Sequence, residues 1–279
     1  MTKYLALVVL IALALPAATL AAEVEVYADV LSAYVYEGLV GNDEPVFQPG
    51  LDITAPYGFA LSFWGSMNLT DVESPWYPDS AGEWGELNLG LSWTLPWEGP
   101  VRLTLGALYY AYPQESSEIL FDDETGDMVL DEDGFAQVSR APADGGYDLI
   151  IEVAADEILL SPSVQFVHTA EGSDDWRLLF SIGHSLDLMD ALSLDLGATA
   201  GYAGKGLVEA VYLSDTGAAF TFAQIDASLN YAVTSALSVG LKGAFSTLID
   251  SDIRDAIKAS GDYPKSDIFF GGLTASYTF

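Results

Sequence analysis

Apolar and polar residues alternate with a period of two along nearly all of this chain, and this pattern constrains its fold more than any other feature. In residues 59–70, large apolar side chains stand at odd positions, beginning with Phe59 and Leu61, and mostly small or polar ones at even positions, beginning with Ala60 and Ser62. The same pattern returns in residues 86–95 and 192–202. Because successive side chains of a β-strand point to opposite faces, each segment predicts a strand with one apolar and one polar face.

Twelve segments of this kind are predicted to be strands. They lie at about residues 24–36, 46–55, 59–70, 85–95, 101–112, 147–154, 157–168, 175–187, 192–203, 219–233, 236–247 and 267–279. Five short links alternate with six longer loops, as antiparallel strands with both termini at one end require. A soluble sandwich would bury its apolar faces against each other, whereas polar faces rich in Gly, Ser, Thr and Asn suit a hydrated interior. The predicted fold is therefore all-β: a transmembrane antiparallel β-barrel of about 12 strands with short periplasmic turns and longer extracellular loops.

The N-terminus predicts export. Lys3 precedes an apolar run over residues 4–15, and small residues follow up to residue 22. This order is typical of a cleaved signal peptide over residues 1–22, and the alternative is an uncleaved membrane anchor. Cleavage leaves residues 23–279 as the barrel.

The C-terminus predicts assembly into the outer membrane. Tyr277 and Phe279 lie on the apolar face of the last predicted strand, and the sequence ends on that aromatic residue. Outer-membrane proteins typically end in such a strand, which the barrel-assembly machinery recognises. The expected location is therefore the bacterial outer membrane, with its lipid and lipopolysaccharide as partners.

The composition excludes several classes of function. The chain has 41 acidic against 9 basic residues, so it has no basic patch for nucleic acid. It has no cysteine, which excludes disulfides and thiolate metal sites. Its two histidines, His168 and His184, alternate with apolar residues, and no nucleophile motif accompanies them. We therefore expect neither an enzyme nor a bound organic cofactor.

Three N-terminal segments carry a family resemblance. They are residues 32–38 (SAYVYEG), residues 45–52 (PVFQPGLD), and the pair Gly58-Phe59 followed by Trp64. Over residues 24–70 the chain resembles the TorF-type porins, which are outer-membrane proteins of unknown function. The resemblance implies a barrel that passes small solutes, and it names no substrate. That family has Arg before the Gly of the first loop, whereas this chain has Glu37, so any anion-binding role of the Arg does not carry over.

Polar residues opposite the apolar faces are the predicted lining of a pore. They are Asp29, Asp52, Asn68, Glu86, Arg102, Asp148, Glu152, Arg177, Asp195 and Lys242, together with Gln48 and Gln165. Asp226 and Asn230 join them less certainly, because Phe220 and Phe222 suggest a bulge or face switch in that strand. Since acids outnumber bases, we expect passive diffusion of small hydrophilic solutes with a mild preference for cations. The alternative is a structural or adhesive barrel whose acids pair with Arg102, Arg177 and Lys242 and plug the lumen.

The longest and most acidic link, residues 113–146, is predicted to lie outside the cell. Residues 122–127 are predicted as a turn between 119–121 and 128–130. Asp127, Asp131 and Asp133 are candidate calcium ligands because clustered hard oxygens suit this ion, although the full spacing of a calcium loop is missing. This third outer loop is also a candidate constriction if it folds inward, and a solvated acidic surface is the remaining alternative. In the last outer loop, residues 251–260 predict a short capped helix.

Overall fold

The computed structural model describes residues 22–71, 80–119, 129, 138–170, 173–261 and 263–279. Within them, twelve strands close into an antiparallel barrel, in which the first strand pairs with the last. In chain order the strands are β1 (Glu23–Leu31), β2 (Tyr34–Tyr36), β3 (Leu39–Asn42), β4 (Val46–Thr54), β5 (Phe59–Asn68), β6 (Trp84–Thr94), β7 (Arg102–Ile119), β8 (Val138–Ala154), β9 (Ser163–Thr169), β10 (Asp175–Met189), β11 (Leu192–Ala203), β12 (Ala219–Ala232), β13 (Leu237–Leu248) and β14 (Asp267–Thr278). All except β2 and β3 belong to the barrel, and those two pair with each other.

The outward face of the barrel is apolar. Leu61 on β5 lies opposite Leu91 on β6, and such pairs leave large apolar side chains exposed. Leu91 is 58% exposed and Ile225 on β12 is 60% exposed. Apolar surface of this kind is unfavourable in water, at roughly 25 cal/mol per Å², and suits hydrocarbon. Closure also leaves no unpaired strand edge toward lipid. The predicted fold, a transmembrane antiparallel β-barrel of twelve strands, is confirmed.

Several strand boundaries differ from the predicted ones. β1 ends at Leu31 instead of residue 36, because the next residues form the separate β2–β3 hairpin. β9 begins at Ser163 instead of residue 157, because Leu160 and Ser161 adopt positive φ values of 69° and 37° in a turn.

The link over residues 113–146 is partly strand. β7 and β8 continue into it, and Ile119 pairs with Val138. The turn predicted over residues 122–127 lies outside the described residues. The partner of Ile119 is Val138 rather than the 128–130 segment that was predicted to face it.

A bulge in β12 confirms the suspected face switch. Gly201 on β11 lies opposite Phe222, but the next residue, Tyr202, lies opposite Phe220, so Thr221 is an extra residue. Phe220 therefore faces outward and Phe222 faces the lumen. In the same register Asp226 and Asn230 lie on the lumen face.

Two helices lie at the end of the barrel that carries the longer loops, here called the loop end; the opposite end is the turn end. They are α1 (Lys205–Val211), which was not predicted, and α2 (Ser251–Ser260), which was. The Asp250 side chain accepts hydrogen bonds from the backbone N–H of Asp252 and Ile253, and Gly261 ends α2 with a φ of 72°. Among the residues described, no helix has the length and apolar character needed to cross a membrane.

Candidate functional site

The lumen is the candidate site. Twelve strands spaced about 4.8 Å apart and tilted by about 40° enclose a cylinder with a backbone radius of roughly 12 Å. Inward side chains at the two ends have different environments. The Arg102 side chain at the turn end is 41% exposed, whereas the Arg177 side chain nearer the loop end is 8% exposed.

Acidic side chains dominate the turn end of the lumen. Asp195 accepts hydrogen bonds from Ser185 Oγ and from Asn230 Nδ2, the latter at 2.6 Å. Asp226 is exposed to the lumen. Asp52 lies opposite Glu25 on the neighbouring strand, which places two carboxylates side by side. Within the described part of the chain, Asp52, Asp195 and Asp226 form no ion pair with a base.

Arg102 is the basic residue of this turn-end zone. Its Nη1 lies 2.9 Å from Glu152 Oε1, and its Nε lies 2.8 Å from Asp156 Oδ2. The hydrogen bond from Arg102 holds the pKa of the Asp156 carboxyl below its usual value. Two acids therefore offset this one base.

Near the loop end, β2 and β3 form a hairpin inside the barrel, here called the inner hairpin (residues 32–45). Its turn has two residues, Glu37 and Gly38, with φ values of 47° and 87°. Positive φ at both central residues is the geometry of a type I′ turn, which matches the twist of the flanking strands. The hairpin is buried: Val40 is 0% exposed.

Arg177 on β10 holds the tip of the inner hairpin. Its Nε donates to Glu37 Oε1 at 2.7 Å, and its Nη2 donates to the Tyr36 hydroxyl at 2.9 Å. On the wall, Nη2 also donates to Asp148 Oδ2 at 2.8 Å and Nη1 donates to Thr169 Oγ1 at 2.9 Å. The guanidinium therefore joins the hairpin to β8, β9 and β10 through charge-assisted hydrogen bonds.

Two carboxylates share this one guanidinium. Burial raises the pKa of the Glu37 carboxyl, Arg177 opposes that shift, and the nearby Asp148 adds to it. Asp148 is 2% exposed, and its Oδ1 has no hydrogen-bond partner among the described residues. Two buried negative charges therefore lie close together, and Arg177 is the positive charge that compensates them.

The inner hairpin spans the lumen. On one side the Tyr34 hydroxyl donates to Glu86 Oε2 on β6, and Asn42 Nδ2 donates to Asn68 Oδ1 on β5 at 2.7 Å. On the other side, Gly38 packs against Phe222 on β12. In the barrel order β6 and β12 are six strands apart out of twelve, so they lie on opposite walls.

The loop-end helices cover the hairpin tip. Leu39 packs in a buried apolar cluster with residues of α1, α2 and the barrel wall. The other members are Ala203, Leu207, Val208, Tyr212, Ala219, Phe222, Leu248, Ile253 and Ile257. The Tyr212 hydroxyl donates to the backbone carbonyl of Glu37 at 3.0 Å. Asp175 at the end of β10 accepts from the Leu207 N–H at 3.0 Å and so anchors α1.

The structure divides the predicted pore-lining residues into two groups. At the turn end or at mid-height, with accessible side chains, lie Asp52, Arg102, Glu152, Asp195 and Lys242. Buried near the inner hairpin or the wall beside it lie Asp29, Asn68, Glu86, Asp148 and Arg177. Lys242 Nζ pairs with Asp29 Oδ2 at 2.6 Å. Gln48 and Gln165 both face the lumen.

The inner hairpin was not predicted from the sequence. Among the described residues, the first outer loop folds inward. The predicted constriction by the third outer loop, residues 113–146, lies partly outside the described residues and stays a prediction. A weak local signal is present: Glu37-Gly38 separates the β-forming segment 34–36 (YVY) from Leu39-Val40, which is compatible with a two-residue hairpin turn. The period-two pattern instead predicts these residues as the end of one long strand and a loop.

The remaining predicted residues lie elsewhere. Asp127, Asp131 and Asp133 lie outside the described residues, so calcium binding stays a prediction. Among the residues that are described, no group of three or more His, Asp or Glu side chains is arranged to hold a metal ion. Tyr277 and Phe279 lie at the turn end with their rings 4.8 Å apart. His168 faces outward and lies 3.4 Å from Asp174.

No protein family and no curated protein matches this sequence, so the TorF resemblance is not confirmed. Solved structures similar in fold include the KdgM porin, with 8% identity, a TM-score of 0.47, and coverage of 92% of this chain and 99% of that one. The NanC porin has 8% identity, a TM-score of 0.48, and coverage of 91% and 98%. The beta domain of the Bordetella autotransporter BrkA has 11% identity, a TM-score of 0.41, and coverage of 92% and 98%. Because porins and an autotransporter domain appear together, the similarity assigns no function.

Proposed function

We propose that this protein is a porin-like channel of the bacterial outer membrane, through which small hydrophilic solutes diffuse passively with a mild preference for cations. The apolar exterior supports insertion in a bilayer, with the turn end in the periplasm and the loop end outside the cell. The signal-peptide pattern of residues 1–22 supports export. The exposed Tyr277 and Phe279 support recognition by the barrel-assembly machinery, and lipid and lipopolysaccharide would then surround the barrel.

The uncompensated acidity of the lumen carries this proposal. Asp195 and Asp226 face the lumen without a basic partner among the described residues, and Arg102 is offset by Glu152 and Asp156. A low-dielectric wall concentrates the field of such charges, which raises the local concentration of cations.

The test is the reversal potential of the purified barrel in a planar bilayer under a salt gradient. We expect a value on the cation-selective side. The double variant Asp195→Asn with Asp226→Asn should move it toward zero, because two uncompensated charges are removed. Asp255→Asn is the control for loss of an acid elsewhere, since Asp255 is exposed on α2. Anion selectivity, or a double variant identical to wild type, would contradict the proposal.

A second function is favoured by one observation. Because the inner hairpin contacts opposite walls, the barrel is also compatible with a closed structural or adhesive role. Single-channel recording separates the two functions: discrete conductance steps support the channel, and a folded barrel without steps supports the closed role.

A further inference from the structure

We propose that Arg177 is a positioning residue that fixes the inner hairpin across the lumen, so that this hairpin controls which solutes enter from the loop end. This inference deepens the proposed channel function, and the control of solute entry rests on that function. The position of the hairpin, however, can be tested without any conductance.

The hydrogen bonds of Arg177 separate a wall role from a hairpin role. Bonds to Asp148 and Thr169 alone would brace neighbouring barrel strands. The bonds to Glu37 and Tyr36 reach a hairpin that is not part of the barrel sheet, so they add nothing to the closure of the barrel. Their effect is to fix the hairpin.

The position of these bonds along the hairpin matters. Glu37 is at the tip, which is the point farthest from the two ends of the hairpin where it joins β1 and β4. A tether at the tip restricts swinging of the hairpin more than a tether near its base. The Asn42–Asn68 and Tyr34–Glu86 hydrogen bonds hold the flanks, whereas Arg177, the Tyr212 hydroxyl and the packing of Leu39 hold the tip. Loss of Arg177 should therefore loosen the tip before the flanks.

The chain supplies a matched control in Arg102. Both arginines face the lumen, and each binds two carboxylates at 2.7–2.9 Å. Arg102 binds Glu152 and Asp156 at the turn end, and neither belongs to the inner hairpin. Arg177→Gln and Arg102→Gln therefore remove the same charge from the lumen, but only the first frees the hairpin.

The experiment measures access to a single thiol. The chain has no cysteine, so Ser228→Cys on the lumen face of β12 introduces a unique one. Proteoliposomes are treated from outside with a small membrane-impermeant thiosulfonate, and the labelling rate is measured. Barrels inserted with the turn end outward give a separate fast phase, which serves as an internal standard.

We expect slow labelling from the loop end in the Ser228→Cys background, and at least tenfold faster labelling when Arg177→Gln is added. Arg102→Gln should leave the loop-end rate unchanged. Because Arg177→Gln leaves Asp148 buried without its base, the double variant Arg177→Gln with Asp148→Asn is made as well. It should also label fast, and it protects the test against misfolding of the single variant.

The outcomes distinguish this inference from the channel function. If neither Arg177 variant labels faster than Arg102→Gln, the hairpin is not held by Arg177, and the inference is overturned whatever the conductance. If the Arg177 variants label fast but no variant conducts ions, the inference stands and the channel function fails.

Discussion

Replacement of Gly38 by Ala should loosen the inner hairpin, and the structure sets the size of the effect. Gly38 has a φ of 87°, in the left-handed region where a residue with a Cβ costs about 1–2 kcal/mol. A Cβ there would also lie 2.5 Å from Phe222 Cβ and 2.9 Å from Leu248 Cδ2, closer than real carbon atoms approach. Overpacking of this kind adds about 1–3 kcal/mol. The total is about 2–5 kcal/mol, and about 1.4 kcal/mol is a factor of ten. The population with a displaced hairpin should therefore rise at least about thirtyfold.

Hydrogen–deuterium exchange of the peptide covering residues 32–45 measures this displacement. Gly217→Ala is the matched control, because Gly217 has a φ of 97° but no atom within 4 Å of the added Cβ. The Gly217→Ala variant has the same unfavourable left-handed backbone conformation in its own loop, but its added Cβ makes no contact with the hairpin. We expect faster exchange over residues 32–45 in Gly38→Ala and unchanged exchange there in Gly217→Ala. Equal protection of the hairpin in both variants would refute the proposed packing of Gly38 against the opposite wall.

Three further predictions concern the same region. Burial raises the pKa of the Glu37 carboxyl, so the docked hairpin binds a proton more tightly than the displaced hairpin. The protection of the hairpin amides should therefore increase as pH falls from 7 through the raised pKa and toward the pKa of a free Glu carboxyl. Glu37→Gln should abolish that part of the pH dependence of exchange, and an unchanged pH profile would contradict it. Tyr212→Phe removes the hydroxyl that donates to the Glu37 carbonyl and should weaken hairpin protection by about 1 kcal/mol, read from the same exchange data. Asp250→Ala removes the N-cap of α2 and should destabilise that helix by about 1 kcal/mol, measured as faster exchange of its amides, whereas Asp255→Ala should not.

The barrel was predictable because its determinants are local and periodic. Alternation determines which residues face lipid. It also indicates the irregular point in β12, because the large apolar residues Phe220 and Phe222 stand at even positions, whereas the outward residues further along the strand, such as Ile225, stand at odd ones. The short capped helix predicted over residues 251–260 is equally local, since the Asp250 side chain that caps its first turn precedes it directly. Each of these features depends on residues that are close together in the sequence.

The inner hairpin was missed because its stability depends on distant residues. Glu37 and Arg177 are 140 positions apart, and Tyr34 and Glu86 are 52 apart. The residues 34–36 continue the alternation of β1, so the pattern alone extends that strand. The alternation predicts that Arg177 and Asp148 face the lumen. It does not indicate whether an inward acidic side chain is solvated or contacts a folded loop.

The packing behind the hairpin tip depends on residues from three separate elements. Gly201 on β11 faces the lumen, and a Cβ there would overlap the ring of Phe222, so glycine allows that ring to lie close against the wall. With the ring in that position, the hairpin tip fits against Phe222 only because Gly38 also lacks a Cβ. Phe222 follows the inward alternation of β12 and fills the space between the two glycines, and the bulge at Thr221 turns Phe220 outward. The sizes of three residues on three separate elements must therefore be complementary, and no local sequence pattern identifies any of them. It follows that an alanine at Gly201 should displace Phe222 toward Gly38 and loosen the same hairpin without any change in its sequence, which the exchange of residues 32–45 would report.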